Sequence, residues 1–237
     1  MIREGRHQLE EAARLLSHPD PRQRVQGIRQ VTALAKQLPL AERGPAITIL
    51  EQVAGDREAF VRWNLAIALG EIAHVDGIRV LERLSEDEHA NVRFRVAFAL
   101  ALIGNERALP ILERLAADPY QIGEHFVVRA FAALALGRFP QEAAVRGLAP
   151  LVDDVDPVVR WHVAVALGEL GLAAGVDLLA KLADDPIPFV RAHAAIALAQ
   201  IGDPAGLPVL ERLTQDAILR VAQISRASLE LLQILVG

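Results

Sequence analysis

Apolar residues recur along this chain with the spacing of an amphipathic helix, and the same apolar segment appears several times. In one copy, Val61, Leu65, Leu69 and Ile72 lie three or four positions apart, which predicts a helix with one buried face. Further copies, each opening with Val-Arg, begin at residues 92, 128, 159 and 190. The pattern therefore predicts an all-α protein built from repeated helices.

The arginine that follows the valine marks each repeat, and we call it the anchor arginine. With two weaker copies at the ends, the anchors recur every 29 to 38 residues, at Arg24, Arg62, Arg93, Arg129, Arg160, Arg191 and Arg220. A second element, Leu-Glu-Arg-Leu, is identical at 81–84, 112–115 and 210–213. Two helical elements in a period of this length predict a stack of helix pairs, each burying its apolar face against its neighbours.

Aspartate and glycine mark the helix ends within each repeat. An aspartate lies six residues before four of the anchors, at Asp56, Asp87, Asp154 and Asp185. We expect these side chains to cap the incoming helix and to accept hydrogen bonds from anchor arginines, as a ladder along the stack. Glycines that end the helices follow at Gly104, Gly171 and Gly202.

The full motif resembles a known repeat. Asp-x4-Val-Arg-x2-Ala-Ala-x-Ala-Leu-Gly-x-Ile-Gly-Asp, followed by Leu-Pro-x-Leu-x2-Leu, is similar to the HEAT-like repeat of the phycobilisome-lyase type over residues 20–225. The resemblance implies a right-handed α-solenoid of about seven HEAT-like helix pairs, as a single domain over residues 1–237. We expect residues 1–19 to cap one end. An apolar helix over about 217–237 is expected to cap the other end or to dock a second copy as a homodimer.

The second helix of each pair, here the Val-Arg helix, lines the concave side of HEAT arrays. Positions one, two, five and nine after the anchor then face away from the core, and they are largely apolar with scattered charges. An exposed face of this kind marks a binding site, unless packing between adjacent second helices buries it. The candidate binding residues on this face are Trp63, Phe94, Arg95, Phe98, Phe131, Arg138, Trp161, His162 and His193.

A second candidate site is an insertion of five residues between two anchors. The segment 118–126 contains Tyr120, the only tyrosine of the chain, together with His125. Two interpretations stay open: an insertion tolerated at a turn, or a loop at the edge of the groove that touches a ligand.

Composition and charge exclude several classes of function. The chain has no cysteine, so it holds no disulfide, no thiolate metal site and no thiol nucleophile. A formal charge of −5 argues against a nucleic-acid face, and no apolar segment is long enough to span a bilayer. His162 and His193 share a repeat position, but a stable metal site needs three or four ligands, so no metal site is predicted. The sequence has no Gly-rich phosphate loop and no nucleophile elbow, so no catalytic residue is predicted, and any activity would be the bilin lyase-like one that the resemblance implies. A cytoplasmic protein is expected.

Two functions remain open at this stage. The first is a non-catalytic scaffold or adaptor whose aromatic concave groove binds another protein, including an assembly chaperone that uses no bilin. The second follows from the resemblance alone and is a phycobilisome-associated, bilin-handling protein, lyase-like or chromophore-detaching, whose partner would be a phycobiliprotein. In that case Arg95, Arg138 or His162 would pair with the propionates of a non-covalently held bilin. Otherwise no cofactor is expected.

Overall fold

The computed structural model describes residues 2–118 and 126–236, and this part of the chain forms α-helices, short 3-10 helices and turns without a β-strand. The α-helices are α1 (Ile2–Leu15), α2 (Pro21–Lys36), α3 (Gly44–Leu50), α4 (Ala59–Ile72), α5 (Gly77–Leu84), α6 (Ala90–Ile103), α7 (Leu109–Ala116), α8 (Phe126–Leu136), α9 (Glu142–Leu148), α10 (Pro157–Leu170), α11 (Val176–Leu182), α12 (Pro188–Ile201), α13 (Leu207–Leu213) and α14 (Leu219–Val236). The predicted fold class, an all-α solenoid of HEAT-like helix pairs, is confirmed, with the Val-Arg helices as the even-numbered members.

The chain divides into two compact units, Met1–Ile111 and Leu112–Gly237, which we call unit 1 and unit 2. In unit 1 the second helices α2, α4 and α6 pack side by side, with α5 against α4 and α6. In unit 2 the same arrangement holds for α8, α10, α12 and α14, with α11 and α13 packed against them. The single domain over residues 1–237 stays a prediction.

The core of each unit consists of the periodic apolar positions that the sequence marks. Val61, Leu65 and Leu69 on α4 are completely buried, as are Val159 and Val163 on α10. Burying a side chain of this size contributes about 1.5–3 kcal/mol. The repeated apolar residues therefore supply the main stabilisation between neighbouring helix pairs.

Small residues set the distance between adjacent second helices. A Cβ added to Gly70 would lie 2.9 Å from the Cα of Ala99 on the next second helix, and one added to Gly137 would lie 2.8 Å from the Cα of Ala166. The same relation joins Gly168 to Ala197 in the next repeat. This close approach explains why the core contains so many alanines and few aromatic rings.

The predicted ladder of anchor arginines and aspartates is confirmed. Arg62 donates from Nε and Nη2 to the two carboxylate oxygens of Asp87, over 2.5 and 2.9 Å, and from Nη1 to the carbonyl oxygen of Asp56 over 2.6 Å. The equivalent pairs are Arg24–Asp56, Arg129–Asp154, Arg160–Asp185 and Arg191–Asp216. Each of these five anchors therefore connects its own helix to the loop before the next second helix.

The expected role of these aspartates as N-caps is wrong in detail. The N-cap of α4 is Glu58, and Asp56 instead accepts a hydrogen bond from the backbone N–H of Glu58 over 2.9 Å. Asp87 does the same for His89, the N-cap of α6. The aspartates lie two residues before the N-cap position, and their carboxylates also pair with the previous anchor arginine.

The last helix covers the end of unit 2 with one face and exposes the other. Leu232 on α14 is fully buried, whereas Ile234 and Leu235 are 78% and 59% exposed. Docking of a second copy on this face stays a prediction. None of the helices in the described residues combines the length and apolarity that crossing a bilayer requires.

Candidate functional site

Aromatic side chains gather on the second helices of unit 1, around Trp63 on α4. Phe60 stacks on Trp63 one turn away, with ring centroids 6.3 Å apart and planes 16° apart. Phe94 and Phe98 lie one turn apart on α6, and Phe98 is 41% exposed. With Arg95 these residues form what we call the Trp63 cluster: Phe60, Trp63, Phe94, Arg95 and Phe98.

The guanidinium group of Arg95 lies among the rings of this cluster. Its central carbon is 4.7 Å from the ring centroid of Phe94, 5.1 Å from that of Trp63 and 5.5 Å from that of Phe98. Arginine suits such a position because its flat, weakly hydrated cation stacks on aromatic faces. Burial of the guanidinium lowers the pKa of Arg95 from its usual value.

Arg95 lacks the carboxylate partner that the anchor arginines have. Its Nε is buried without a hydrogen-bond partner, and its two terminal nitrogens neither hydrogen-bond to the described residues nor are buried. A buried donor left unpaired costs about 1–3 kcal/mol. Such a group in a native protein calls for an explanation.

A pocket of about 470 Å³ opens beside the Trp63 cluster, between α2 and α4. Ile28 and Ile67 supply apolar walls, Trp63 closes one side, and Arg29 reaches the pocket from α2. Across it, Lys36 and Glu71 form an ion pair with an N–O distance of 3.1 Å. The volume lies within the range of ordinary ligand pockets, roughly 300–1,000 Å³.

Unit 2 carries a second aromatic group, built around Trp161 on α10. Its ring centroid lies 4.5 Å from that of His162, 5.3 Å from that of His193 and 6.2 Å from that of Phe189. Phe131 on α8 lies 6.1 Å from His162. We call these five residues the Trp161 cluster. The indole Nε1 of Trp161 is buried and has no hydrogen-bond partner, which matches the state of Arg95 Nε in unit 1.

Both histidines of the Trp161 cluster are held by their own helix. The Nδ1–H of His162 donates to the carbonyl oxygen of Val158 over 2.7 Å, and that of His193 donates to the carbonyl oxygen of Phe189 over 2.8 Å. In the neutral ring this leaves Nε2 as a hydrogen-bond acceptor. Across residues 2–118 and 126–236, no three His, Cys, Asp or Glu side chains come together in a way that could hold a metal ion.

Most of the predicted site residues fall into these two clusters, with three exceptions. Arg138 lies two residues beyond the end of α8 and is exposed. The helix ends before the ninth position after the anchor, so Arg138 does not lie on α8, and its place beside the aromatic surface stays a prediction. Tyr120 and His125 lie outside the described residues, and the alternatives for their loop stay open.

The structure also adds residues that the pattern alone did not select. Phe60 and Phe189 precede the anchor but turn towards the two tryptophans, and Arg29 and Lys36 belong to the weakest copy of the repeat. Asn64 lies at the same repeat position as Arg95 but is buried, with 6% of its surface exposed. Its Nδ2 donates to the carbonyl oxygen of Phe60 over 2.8 Å. Both phenylalanines lie two positions before their own anchor, Arg62 or Arg191, and this shared position is the sequence feature that could have identified them.

Comparison with known proteins places this geometry among helical repeats. A family profile described as HEAT repeats matches residues 46–123, 123–186 and 151–230, which together make up more than half of the chain. No curated protein sequence gives a significant match.

Solved structures resemble the chain over nearly its whole length. YibA from Escherichia coli has 20% identity and a TM-score of 0.63, with 97% of this chain and 83% of that chain covered. The complex of CpcE and CpcF of phycocyanin lyase from Nostoc sp. PCC7120 has 20% identity and a TM-score of 0.54, with 94% of each chain covered. An engineered protein has 24% identity and a TM-score of 0.58, covering 95% of this chain and 68% of that chain. At these identities the likeness concerns the fold alone.

Proposed function

This chain belongs to the HEAT-repeat family, and we propose that it is a non-catalytic interaction module that binds a segment of another protein on the second-helix face of unit 1. The binding surface is the Trp63 cluster together with the pocket between α2 and α4. The Trp161 cluster of unit 2 offers a second contact of the same kind. A family of stacked helix pairs suits this role because each repeat adds surface without disturbing its neighbours.

The observation that carries the proposal is the buried unpaired donor in each cluster. Arg95 Nε and Trp161 Nε1 are the two buried side-chain nitrogens or oxygens that lack a partner in the described part of the chain. One belongs to Arg95 on α6, in the Trp63 cluster, and the other belongs to Trp161 on α10, in the Trp161 cluster. Unpaired buried donors are uncommon in native proteins and tend to occur where residues are selected for function and not for stability alone.

The residue types of the clusters support a protein partner. Tryptophan and arginine are among the residues that most often anchor protein interfaces, and the rigid ring of tryptophan loses little entropy on binding. Phe98 and Leu102 on α6 are 41% and 50% exposed, and they extend the apolar surface beyond Trp63. An exposed apolar patch next to a pocket is where a partner helix or loop would lie.

Partner capture tests this function. The purified chain is immobilised and exposed to an extract of the cells that express it, in parallel with Trp63→Ala, Trp161→Ala and the control Leu40→Ala. Leu40 is 54% exposed and lies outside the second helices. We expect one protein to be retained by the unaltered chain and by L40A and lost with W63A. Retention of that protein by W63A, or its loss with L40A, would contradict the proposal.

A second candidate is non-covalent binding of an open-chain tetrapyrrole, as a bilin-handling protein. Arg95 among aromatic rings suits a ligand that has flat pyrrole rings and propionate groups. The likeness to a phycocyanin lyase complex is compatible with this candidate but concerns the fold alone. Titration with phycocyanobilin separates the two: a shifted visible band with induced circular dichroism favours the bilin, and an unchanged spectrum removes it.

A further inference from the structure

We infer that the Trp63 cluster recognises a carboxylate, supplied by an aspartate or glutamate that follows an apolar side chain in the bound protein segment. This inference rests on the proposed function and specifies its chemistry: the apolar side chain enters the pocket between α2 and α4, and the carboxylate pairs with the terminal nitrogens of Arg95.

The contrast between two arginines in unit 1 carries the inference. Arg62 donates to both carboxylate oxygens of Asp87, so its charge is neutralised within the fold. Arg95, only 33 positions later in the sequence and half-buried, has no carboxylate against it and is surrounded by three rings instead. Aromatic faces attract the cation but accept no N–H hydrogen bond as strong as one to a carboxylate. The end of the guanidinium that is not buried is therefore left to an external acceptor.

The charges near the pocket favour an acidic ligand. Glu71, the acidic residue among the pocket walls, is already paired with Lys36. Arg29 is exposed on the same pocket, and Arg95 lies against Trp63, so two positive charges remain uncompensated beside one apolar cavity. The chain as a whole carries −5, which makes this local excess of positive charge a feature of the site. Complementary charge at an interface steers the partner and fixes its register.

Trp63 connects the two parts of the proposed site. Its ring forms a wall of the pocket and also lies 5.1 Å from the guanidinium carbon of Arg95. A ligand that fills the pocket therefore comes within reach of Arg95 only if its carboxylate is close to its apolar part. This geometry selects an apolar residue with an acidic neighbour and disfavours a segment that is only apolar or only acidic.

A small probe tests the chemistry without knowledge of the partner. In the variant Trp161→Phe, Trp63 is the only tryptophan, and its fluorescence reports binding. We titrate 4-phenylbutyrate and its neutral isostere 4-phenylbutyramide. We expect saturable binding of the carboxylate and about tenfold weaker binding of the amide, which corresponds to roughly 1.4 kcal/mol. Arg95→Met should weaken binding of the carboxylate about tenfold and leave that of the amide unchanged.

Arg29→Met is the matched control, since it removes the same charge from an exposed position at the pocket. It should weaken binding of the carboxylate by no more than about threefold. Equal affinity for acid and amide, an unchanged affinity of R95M for the carboxylate, or the absence of saturable binding by either probe would overturn the inference. The partner-capture experiment with R95M keeps this result separate from the proposed function. Capture that survives R95M but not W63A refutes the carboxylate site alone, whereas capture that survives both refutes the proposed function.

Discussion

The guanidinium carbon of Arg95 lies 5.1 Å from the ring centroid of Trp63, although the two residues belong to second helices of neighbouring pairs. Two further rings, from Phe94 and Phe98, complete the surroundings of the cation, and none of these neighbours is a hydrogen-bond acceptor for its buried Nε. The unpaired Nε therefore lowers the stability of the folded protein in its free state. Binding sites commonly carry such a cost, because residues selected for a ligand are not optimal for stability.

Replacing Arg95 by methionine should therefore leave the protein at least as stable as before. The change removes the unpaired buried Nε, worth about 1–3 kcal/mol, and gives up a cation–π attraction worth about 0.5–2 kcal/mol. Methionine keeps favourable contacts with the rings. Urea unfolding at neutral pH should give a free energy of unfolding that is unchanged or raised by up to about 1 kcal/mol.

Arg62→Met is the control for this prediction. It removes a guanidinium that is paired with Asp87 and leaves the carboxylate buried, so the free energy of unfolding should fall by about 3–5 kcal/mol. If R95M lost as much stability as R62M, Arg95 would be a structural residue and its assignment to ligand binding would be wrong.

The Arg62–Asp87 pair also predicts how stability depends on pH. Burial raises the pKa of Asp87, but the hydrogen bonds from Arg62 and the backbone N–H of His89 outweigh it, so the pKa lies below its usual value. A lowered folded pKa gives a contribution that is complete above the unfolded pKa of about 3.9 and is lost as the pH falls through the folded pKa. The free energy of unfolding should therefore decrease as the pH falls below about 4.

Asp87→Asn identifies this contribution. The variant should be less stable at pH 7 and should lose less further stability on acidification than the unaltered chain, as measured by urea unfolding at several pH values. Asp56 and Asp216 have pKa values lowered in the same direction, so part of the acid sensitivity will remain. An identical loss in D87N would show that Asp87 does not contribute.

Ala73 occupies a position where three other repeats have glycine. Its φ of 54° is in the left-handed region, as are those of Gly104, Gly171 and Gly202, which end the equivalent helices. A left-handed conformation costs an L-residue about 1–2 kcal/mol, partly offset by the greater freedom that glycine has when unfolded. Ala73→Gly should raise the free energy of unfolding by about 0.5–1 kcal/mol.

Gly104→Ala is the converse change and should lower the free energy of unfolding by about 1 kcal/mol. Its added Cβ would have 3.9 Å to the nearest atom, the carbonyl oxygen of Ala101, so backbone strain and not a clash decides the effect. Opposite signs for the two variants in thermal or urea unfolding support the account, and a loss of stability in A73G would contradict it.

The two tryptophans should respond differently to replacement by phenylalanine. Trp161→Phe removes a buried N–H without a partner, which offsets the ring contacts that are lost, so the stability should change by less than about 1 kcal/mol. Trp63 has no such unpaired group, and it contacts Arg95 and Phe60, so Trp63→Phe should cost about 1 kcal/mol. Equal losses in urea unfolding would show that the unpaired Nε1 of Trp161 carries no cost.

The sequence predicts the repeated fold well because its signals are local and recur. Val61, Leu65 and Leu69 lie on the buried face that their spacing predicts. Anchor arginines donate hydrogen bonds to the repeated aspartates, as Arg62 does to Asp87. The helix ends follow from Gly104, Gly171 and Gly202. Each of these features depends on backbone geometry and is reinforced by its copies.

The candidate site is less predictable because it depends on side-chain directions between helices. Position two after the anchor holds Asn64, which is buried, and Arg95, whose terminal nitrogens are not. The position of a residue after its anchor therefore cannot distinguish a buried side chain from an exposed one. Arg138 lies on the predicted face only if the helix continues past the end of α8, and the repeat pattern does not predict the pocket because Arg29 and Lys36 lie in one of the two weaker copies.

Photo-crosslinking from Phe98 tests the proposed binding face most directly. Replacement of Phe98 by p-benzoylphenylalanine preserves an aromatic ring at a position that is 41% exposed within the Trp63 cluster, and the same replacement at Leu40, 54% exposed in unit 1, is the control. After irradiation in the cells that express the protein, position 98 should crosslink to one partner protein, and the combination with Arg95→Met should reduce that yield. The absence of a crosslink from position 98, or the same crosslink from position 40, would contradict the assignment of this face as the binding surface.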